Sequence, residues 1–394
     1  MSSNIGPNTT ENGLVFGFDT GYPLVSSSIS NYRFNKGQPT INLITNSGTS
    51  LSGWAGYGWS GGQAISTDYS NTYEFTATNG WHNRTFDTGV NSGGTIHVTF
   101  EYKLKQQQTT QNQIFVLNGT HLGSYTNYIG AGSMSFEWQT FNGTFTANAN
   151  SSKVAIGPRG ADSSGLTDIV YIRNLQVESK SHNTPFVNGT RSTTDSLLDT
   201  TGNHSINVSG LSFDSSAQID FDGTDDRIDT ALYHLSGSSH TEEVVVYRGT
   251  AGAQQGILSD LQYGFYGLLF LSNNKIRYRQ MQQLSNPTSY PNISIDTPDT
   301  YGVGTYHIVG SFSSTNGFRL YVNGVLKNSN STNLPFNLSG NRGINHIGVY
   351  KDSTSSSYNN PFDGKIYIVK CYNRELTQEE IKNNFNGLRH RFDL

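Results

Sequence analysis

Apolar and polar residues alternate along most of the chain, in short runs separated by glycine, asparagine and serine. Residues 95–104 give the clearest run, and its apolar face comprises Ile96, Val98, Phe100, Tyr102 and Leu104. A period of two is typical of a strand in a half-buried antiparallel sheet. Residues 168–178 predict a further strand, and Asn323-Gly324 predicts a two-residue hairpin turn. The chain is therefore expected to be almost entirely β.

One stretch near the end of the chain shows a helical period. Thr377 followed by Glu380 forms a capping box, in which each residue satisfies a backbone N–H of the other. The apolar stripe that follows consists of Ile381, Phe385 and Leu388. Gly387 marks a place where this helix can end. Residues 389–391 are expected to form a solvated tail, with neutralisation of the C-terminal helix dipole or contact with a neighbouring subunit as the alternatives. Residues 362–372 predict a preceding strand, so strand and helix together are expected to close a β-sandwich.

Composition narrows the class of protein. The chain has 394 residues, which suggests two or three domains. Only 34% of its residues are hydrophobic, but its 22 Tyr and 21 Phe can fill the cores of thin sandwiches. The net charge is -4 and no basic run occurs, so nucleic acid is not an expected partner. No stretch approaches the roughly 20 apolar residues that would span a bilayer, so membrane insertion is not expected.

The single cysteine and the first residues bear on the compartment. Cys371 alone cannot form an intrachain disulfide framework, and residues 1–13 have neither a charged segment nor an apolar core typical of a signal peptide. A protein that is made and assembled in a host cytoplasm and released by lysis would show both features.

Three segments of the C-terminal half resemble the concanavalin-A-like, laminin-G-type lectin fold. They are residues 221–228 (FDGTDDRI), 319–324 (RLYVNG) and 362–381 (FDGKIYIVKCYNRELTQEEI). This version of the fold is common in virion proteins of tailed bacteriophages. Residues 6–21 are similar to the first strand of such modules, and residues 174–192 resemble the end of the carbohydrate-binding jelly roll that often precedes them.

The resemblance implies two β-sandwich domains, with one spliced into the other. Residues 1–40 would hold an arm and the first lectin strand, residues 41–190 a jelly roll similar to carbohydrate-binding modules, and residues 191–394 the rest of the lectin domain. Insertion is favoured because residues 14–18 are too apolar for a free tail. Simple tandem order, with residues 1–40 as an arm, is the alternative.

The sequence lacks the motif with which members of this family cut glycans. They use a Glu-x-Asp-x-x-Glu strand, whose alternation brings the carboxylates to one face. The nearest acidic pair here, Glu242 and Glu243, should point to opposite faces of a strand. Neither a His-Glu-x-x-His motif nor a Gly-x-Ser-x-Gly elbow occurs. The chain is therefore predicted not to be an enzyme, with a polysaccharide depolymerase as an alternative.

Aromatic residues in glycine-rich segments are the candidates for carbohydrate binding. The four that we single out are Trp54, Tyr57, Trp59 and Trp81. Exposed aromatic rings can stack on the apolar faces of sugars. Alternatively, these rings fill a thin sandwich core. Trp138, in the alternating stretch 133–138, is expected to be core.

Asp222, Asp225, Asp226 and Asp229 crowd into one short stretch and are the candidate metal ligands. Oxygen-rich loops suit Ca²⁺. The favoured interpretation is a tight turn whose carboxylates satisfy its own backbone, because aspartate and glycine are typical turn residues. No cofactor is therefore expected, with Ca²⁺ as the alternative.

Taken together, these expectations describe a phage virion structural protein on the particle surface. It would be a compact capsid decoration or an adhesin associated with the tail or a fibre, and it would present a glycan-binding surface to the host. Its expected partners are other virion proteins and host glycans, and a homo-oligomer would follow from particle symmetry. A carbohydrate-binding protein that is not part of a virion is the alternative.

Overall fold

The fold is described from a computed structural model. It covers residues 9–20, 37–44, 47–108, 113–118, 127–129, 134–147, 153–159, 167–215, 217–230, 232, 239–260, 266–281, 292–332, 345–351 and 358–394. Within these ranges, the backbone alone is described for residues 56–61, 78–84, 113–118, 127–129, 158–159, 266, 281, 292 and 351.

The chain divides into two compact units, and the second interrupts the first. The first unit consists of Met1–Gln38, Thr193–Asp214 and Gln218–Leu394, and the second consists of Pro39–Ser192 with Ser215–Ala217. We call them the outer unit and the inserted unit.

The outer unit begins with strand β1 (Leu14–Asp19), and the inserted unit follows. Its strands are β2 (Thr40–Ile41), β3 (Trp54–Ile65), β4 (Thr72–Asp87), β5 (Thr95–Gln106), β6 (Gln113–Asn118), β7 (Asn127–Ile129), β8 (Gln139–Thr146), β9 (Lys153–Arg159), β10 (Asp168–Glu178) and β11 (Thr190–Arg191).

The outer unit then continues to the end of the chain. Its further strands are β12 (Ser212–Phe213), β13 (Ile219–Asp222), β14 (Ile228–Asp229), β15 (Ser239–Arg248), β16 (Gln255–Ser259), β17 (Tyr266–Phe270), β18 (Ile276–Met281), β19 (Asn292–Asp296), β20 (Gly304–Ser313), β21 (Gly317–Val322), β22 (Val325–Asn330), β23 (His346–Ile347), β24 (Tyr350–Lys351), β25 (Tyr358–Asn359) and β26 (Asp363–Tyr372). The helix α1 (Gln378–Phe392) ends the unit.

Two large antiparallel sheets form the outer unit. One has the order β12-β13-β26-β15-β20-β21-β22, with β1 also paired to β26, and the other has the order β14-β23-β16-β17-β18-β19. Strand β1 joins the sheet although the inserted unit separates it in sequence from the rest, with Phe18 opposite Val369 and Asp19 opposite Ile368. Phe16 and Phe18 are buried in the core of this unit, which explains why this short strand is so apolar.

Strand β15 shows how alternation builds the layers of the outer unit. Val244 and Val246 belong to the main core, whereas Val245 packs with Leu388 and Phe392 of α1. Successive side chains of a strand point to opposite faces, so one face of β15 lines the sandwich and the other carries the helix.

The predicted capping box of α1 is confirmed. The Thr377 hydroxyl accepts a hydrogen bond from the Glu380 N–H at 3.2 Å, and the Glu380 carboxylate accepts one from the Thr377 N–H at 2.9 Å. The predicted end at Gly387 is wrong, because the helix continues to Phe392 and Asp393 caps it in a left-handed conformation. Residues 389–391 are therefore the last helical turn and not a solvated tail.

Tertiary contacts explain why the helix passes Gly387. Leu388 and Phe392 are buried against the sheet, and Arg391 forms two hydrogen bonds of 2.6 Å with the Asp19 carboxylate of β1. Such packing outweighs the roughly 1 kcal/mol cost of one helical glycine.

The inserted unit has its own core. Its main sheet has the order β7-β6-β9-β4-β10-β5-β8, with β3 also paired to β4. The predicted inward face of β5 is confirmed, and its five members are all buried: Ile96, Val98, Phe100, Tyr102 and Leu104. The two ends of the unit meet where β2 pairs with β11, with Thr40 opposite Arg191.

The all-β prediction with one C-terminal helix is confirmed by this architecture. Among the described residues, no helix has the length and apolar character needed to cross a membrane.

Candidate functional site

Trp54 lies at the start of β3 and packs against the core of the inserted unit. Its ring makes edge contacts with Tyr73 and Phe75 at centroid distances of 5.6 and 6.2 Å, and its indole N–H donates to the Tyr73 hydroxyl at 3.3 Å. The structure thus places Trp54 where the core-filling alternative expected it.

The other three sugar-binding candidates lie on β3 and β4. Tyr57 and Trp59 are in β3 and Trp81 is in β4. Their side chains lie outside the described part of the structure, so their role stays a prediction.

Three of the four candidate metal ligands come together. The carboxylates of Asp222, Asp225 and Asp226 have oxygens within 4.8 Å of one another. Asp226 is buried and accepts hydrogen bonds from the backbone N–H groups of Ser212 at 2.6 Å and Asp222 at 2.8 Å. Burial raises the pKa of the Asp226 carboxyl, and the nearby Asp222 charge raises it further. The bond from Asp222 satisfies the backbone of the turn itself, and the bond from Ser212 ties the turn to β12.

Asp229 belongs to a different cluster. It lies on β14, where its carboxylate accepts a hydrogen bond from Arg227 Nε and contacts His346 Nδ1 at 2.8 Å.

The acidic pair Glu242 and Glu243 points to opposite faces, as predicted. Glu242 is buried on the sandwich side, where its Oε2 lies 3.5 Å from the Tyr278 hydroxyl. Glu243 is buried on the helix side, so the two carboxylates do not converge on one site.

Glu243 holds α1 to the sheet. Its carboxylate accepts hydrogen bonds from His307 Nε2 at 2.8 Å, from the Tyr372 hydroxyl at 3.0 Å and from Asn384 Nδ2 at 2.8 Å. Burial raises the pKa of this carboxyl, but the hydrogen bonds and the charge of Lys370 outweigh burial and bring the pKa to about 2. The group is a structural carboxylate, ionised and fully paired.

A group of aromatic and cationic side chains lies on the inserted unit, on the face of its main sheet that points away from its core. We call it the Trp138 cluster, and it consists of the half-buried side chains of Tyr69, Lys103, Trp138 and Arg173 and the buried ring of Tyr171. Strands β5 and β10 are neighbours in register, with Lys103 opposite Tyr171 and Glu101 opposite Arg173. Their intervening residues fill the core, so alternation places these side chains on the outer face.

The Tyr69 ring packs edge to face against the other two rings of the cluster. Tyr69 lies 5.4 Å from Trp138 and 5.2 Å from Tyr171, measured between ring centroids. The Lys103 ammonium sits 4.5 Å from the Tyr69 centroid and 5.0 Å from that of Trp138, and it donates to the Tyr69 hydroxyl at 2.7 Å. Such cation–π contacts fix the rings in place.

A polar network borders the Trp138 ring. The Arg173 guanidinium lies 3.8 Å from the Trp138 centroid and donates to both oxygens of Glu101, at 2.8 and 3.1 Å. Asn174 Nδ2 donates to the same carboxylate at 2.8 Å. The hydrogen bond from Arg173 lowers the pKa of the Glu101 carboxyl, so Glu101 stays ionised. The arrangement joins an apolar ring to fixed donors and acceptors.

Trp138 was expected in the core, and that prediction is wrong. Residues 134–138 precede β8 rather than form a strand, and Trp138 is half-buried on the outer face, whereas Met134 is the buried member of the segment. Alternation in β5 and β10 could have identified Lys103 and Arg173 as outward-facing. Their contact with Trp138 could not be predicted, because Trp138 lies in a loop and the hydrophobic pattern of a loop does not indicate its conformation.

Comparison with protein-family models matches residues 222–382 to Laminin_G_3, described as the concanavalin A-like lectin/glucanases superfamily. The matched residues run from β13 into α1 and cover most of both sheets of the outer unit. The predicted concanavalin-A-like lectin fold of this part of the chain is confirmed. A comparison with curated protein sequences gives no significant match.

Solved structures of botulinum neurotoxin domains are similar to part of the chain. The receptor-binding domain of the C/D mosaic serotype matches with 16% identity and a TM-score of 0.37, over 49% of this chain and 49% of that one. The serotype D ligand-binding domain in complex with N-acetylneuraminic acid matches with 16% identity and a TM-score of 0.37, over 50% and 49%. The serotype G binding domain matches with 15% identity and a TM-score of 0.34, over 48% of each chain. The match thus spans about half the length of each of these structures.

Proposed function

We propose that the chain is a non-catalytic, glycan-binding structural protein on the surface of a tailed-phage virion. The lectin fold of the outer unit supports glycan binding. The phage assignment is supported by the resemblance of residues 221–228, 319–324 and 362–381 to segments of phage virion proteins. The observation that carries the glycan-binding part is the Trp138 cluster.

The Trp138 cluster has the chemistry that sugar recognition requires. A pyranose presents an apolar face to an aromatic ring and hydroxyl groups to paired donors and acceptors. Trp138 supplies the aromatic ring, with Arg173 over one of its faces, and Arg173, Glu101 and Asn174 supply the donors and acceptors. Phe136, which is 57% exposed, adds apolar surface two residues away.

The proposed role is binding without cleavage. A glycosidase needs two carboxylates on either side of one bond. Glu242 and Glu243 lie on opposite faces of β15, and Glu243 is committed to its bonds with His307 and Asn384. A polysaccharide depolymerase is therefore the less favoured function.

The proposal includes no cofactor. The buried member of the aspartate turn, Asp226, already accepts two backbone N–H groups, which supports a turn in place of a Ca²⁺ site. We expect glycan binding to be unchanged by EDTA, and a loss that added Ca²⁺ restores would contradict this part.

Binding to a panel of bacterial surface polysaccharides tests the proposal. The wild-type chain is expected to bind at least one polymer, and Trp138→Ala is expected to reduce the affinity at least tenfold, because stacking and interface hydrogen bonds are lost together. Leu51→Ala, which removes a 41% exposed side chain elsewhere in the inserted unit, is the control. Wild-type binding to none of the polymers would contradict glycan binding.

Mass spectrometry of purified particles tests the virion assignment. The protein is expected among the virion proteins, and a copy number close to that of the capsid protein would identify it as a decoration. Glycan binding by a chain that is absent from particles would instead support a carbohydrate-binding protein outside the virion.

A further inference from the structure

The outer unit carries an arrangement that repeats the chemistry of the Trp138 cluster. The Arg227 guanidinium carbon lies 4.1 Å from the ring centroid of Tyr358. Arg227 Nε also lies 3.1 and 3.2 Å from the two carboxylate oxygens of Asp229. We call these three residues, together with His346, the Tyr358 cluster.

Three of the four residues lie on short strands of the outer unit, and Arg227 directly precedes β14. Asp229 on β14 is paired with His346 on β23, and Tyr358 lies on β25. His346 is buried; its Nδ1 is 2.8 Å from Asp229 Oδ1, and its ring meets the Tyr358 ring edge to face at 5.0 Å. The histidine therefore positions both the carboxylate and the aromatic ring from below, which is how binding residues are preorganised.

The two clusters share one constellation. In each, a guanidinium stacks on an aromatic ring and pairs with a carboxylate, with Arg173 on Trp138 and Glu101 in the inserted unit. Both pairs are half-exposed: the side chains of Arg173 and Glu101 are 28% and 31% exposed, and those of Arg227 and Asp229 are 32% and 52% exposed. Tyr358 is itself 39% exposed.

The pairing leaves hydrogen-bonding capacity toward solvent. Arg227 uses Nε for Asp229, and its two terminal nitrogens have no acceptor among the described residues. Asp229 keeps lone pairs on a half-exposed carboxylate. Donors and acceptors that lie side by side match adjacent hydroxyl groups of a sugar, and the neighbouring ring matches its apolar face.

The charge of the cluster selects the class of sugar. Arg227 and Asp229 neutralise each other, so the cluster offers no unpaired charge to a ligand. An anionic sugar would lose hydration of its charge without gaining an unpaired cation, whereas a neutral sugar has no such cost. The ligand class is thus a neutral glycan with adjacent free hydroxyl groups.

We propose that the Tyr358 cluster is a second glycan-binding site, so that each unit of the chain holds one neutral sugar. This inference rests on the proposed glycan-binding function and extends it from one site to two. Because both sites use the same constellation, they are expected to take the same class of ligand.

Isothermal titration of the full chain tests the second site. The probe is a short oligosaccharide obtained from the neutral bacterial polysaccharide that the wild-type chain binds most tightly. The expected stoichiometry is two per chain for the wild type, one for Tyr358→Ala, one for Trp138→Ala and none for the double variant. Tyr247→Ala removes another tyrosine of the outer unit, 36% exposed on β15, and is expected to keep two sites.

A milder variant guards against loss of fold. Arg227→Lys keeps the charge, but an ammonium group lacks the planar set of donors with which a guanidinium can bind a carboxylate and two hydroxyl groups at once. The affinity of the second site alone is therefore expected to fall by roughly tenfold. An unchanged melting temperature in this variant assigns the weakening to binding.

The outcomes separate the two proposals. A wild-type stoichiometry of one that is abolished by Trp138→Ala, or a Tyr358→Ala variant that still binds two, would overturn the second site while leaving the first. No binding of any neutral or acidic polymer by the wild-type chain would overturn the proposed function and the second site together.

Discussion

At the scale of single residues, the buried charge of Glu243 shows how the sheet and the helix are held together. Three donors from β20, β26 and α1 converge on this carboxylate. The N-terminal segment adds to the same network, since Asn384 accepts a hydrogen bond from the Thr10 N–H at 2.7 Å. Removing one partner of a buried, fully paired charge is costly because the others lose their acceptor or donor.

Glu243→Gln is expected to lower the free energy of unfolding by roughly 3 kcal/mol at neutral pH. The folded-state pKa of about 2 lies below the ordinary value of 4.5, so the contribution of the carboxylate is complete above that value and is lost as the pH falls toward 2. Denaturant unfolding between pH 7 and pH 2 measures the difference. Glu379→Gln, on the exposed first turn of α1, is the control. If the difference in free energy of unfolding between the wild type and Glu243→Gln stays constant down to pH 2, the stabilising role of the ionised carboxylate is contradicted.

A glycine in β26 illustrates a backbone requirement. Gly364 has a φ of +135°, and a Cβ at this position would lie 2.0 Å from the Tyr247 carbonyl oxygen. The sequence predicted a strand over residues 362–372, and the structure places Gly364 inside the sheet between β13 and β15.

Gly364→Ala is expected to destabilise the protein by more than about 2 kcal/mol, because both the φ angle and the close carbonyl are incompatible with a side chain. Gly302→Ala, where a Cβ meets nothing within 4 Å, is expected to be neutral and serves as the control. Thermal and denaturant unfolding compare the two, and equal stabilities would contradict the proposed strain.

At the scale of secondary structure, the sequence predicted correctly those features that depend on contacts between residues close together in the chain. The Asn323-Gly324 turn joins β21 to β22 with φ angles of +51° and +73°, as the favoured hairpin turn requires. The capping box at Thr377 is likewise a local interaction. Signals failed where partners are distant in sequence, as at Gly387 and Trp138, because the decisive contacts come from β1 and from the β5–β10 register.

Thr377→Ala is expected to lower the free energy of unfolding by about 1 kcal/mol, since the first turn of α1 loses the acceptor for the Glu380 N–H. Thr377→Ser keeps the hydroxyl and is expected to keep most of the stability. Equilibrium unfolding of the two variants decides the point: if alanine and serine behave alike, the cap contributes nothing.

At the scale of the whole molecule, the inserted unit is closed on itself. Its first and last strands pair, and Glu178 accepts hydrogen bonds from both Thr40 and Thr184 near these ends. Arg191 donates to the Thr184 hydroxyl at 3.1 Å, so the contact between the ends is fixed by side chains as well as by backbone.

A fragment of residues 39–192 is expected to fold on its own, because its core and its closing contacts are internal to this range. Circular dichroism should show a β spectrum and one cooperative thermal transition. Glu178→Ala should lower the melting temperature of this fragment by several degrees, and a fragment without a cooperative transition would show that the unit depends on the rest of the chain.

The central claim is that this protein recognises glycans without cutting them. Surface plasmon resonance on an immobilised bacterial surface polysaccharide tests both halves in one trace. The signal is expected to rise when the protein is injected and to return to its starting level when the protein dissociates. A flat signal on every polysaccharide of the panel would contradict recognition, and a final level below the starting level would show that the polymer had been cleaved.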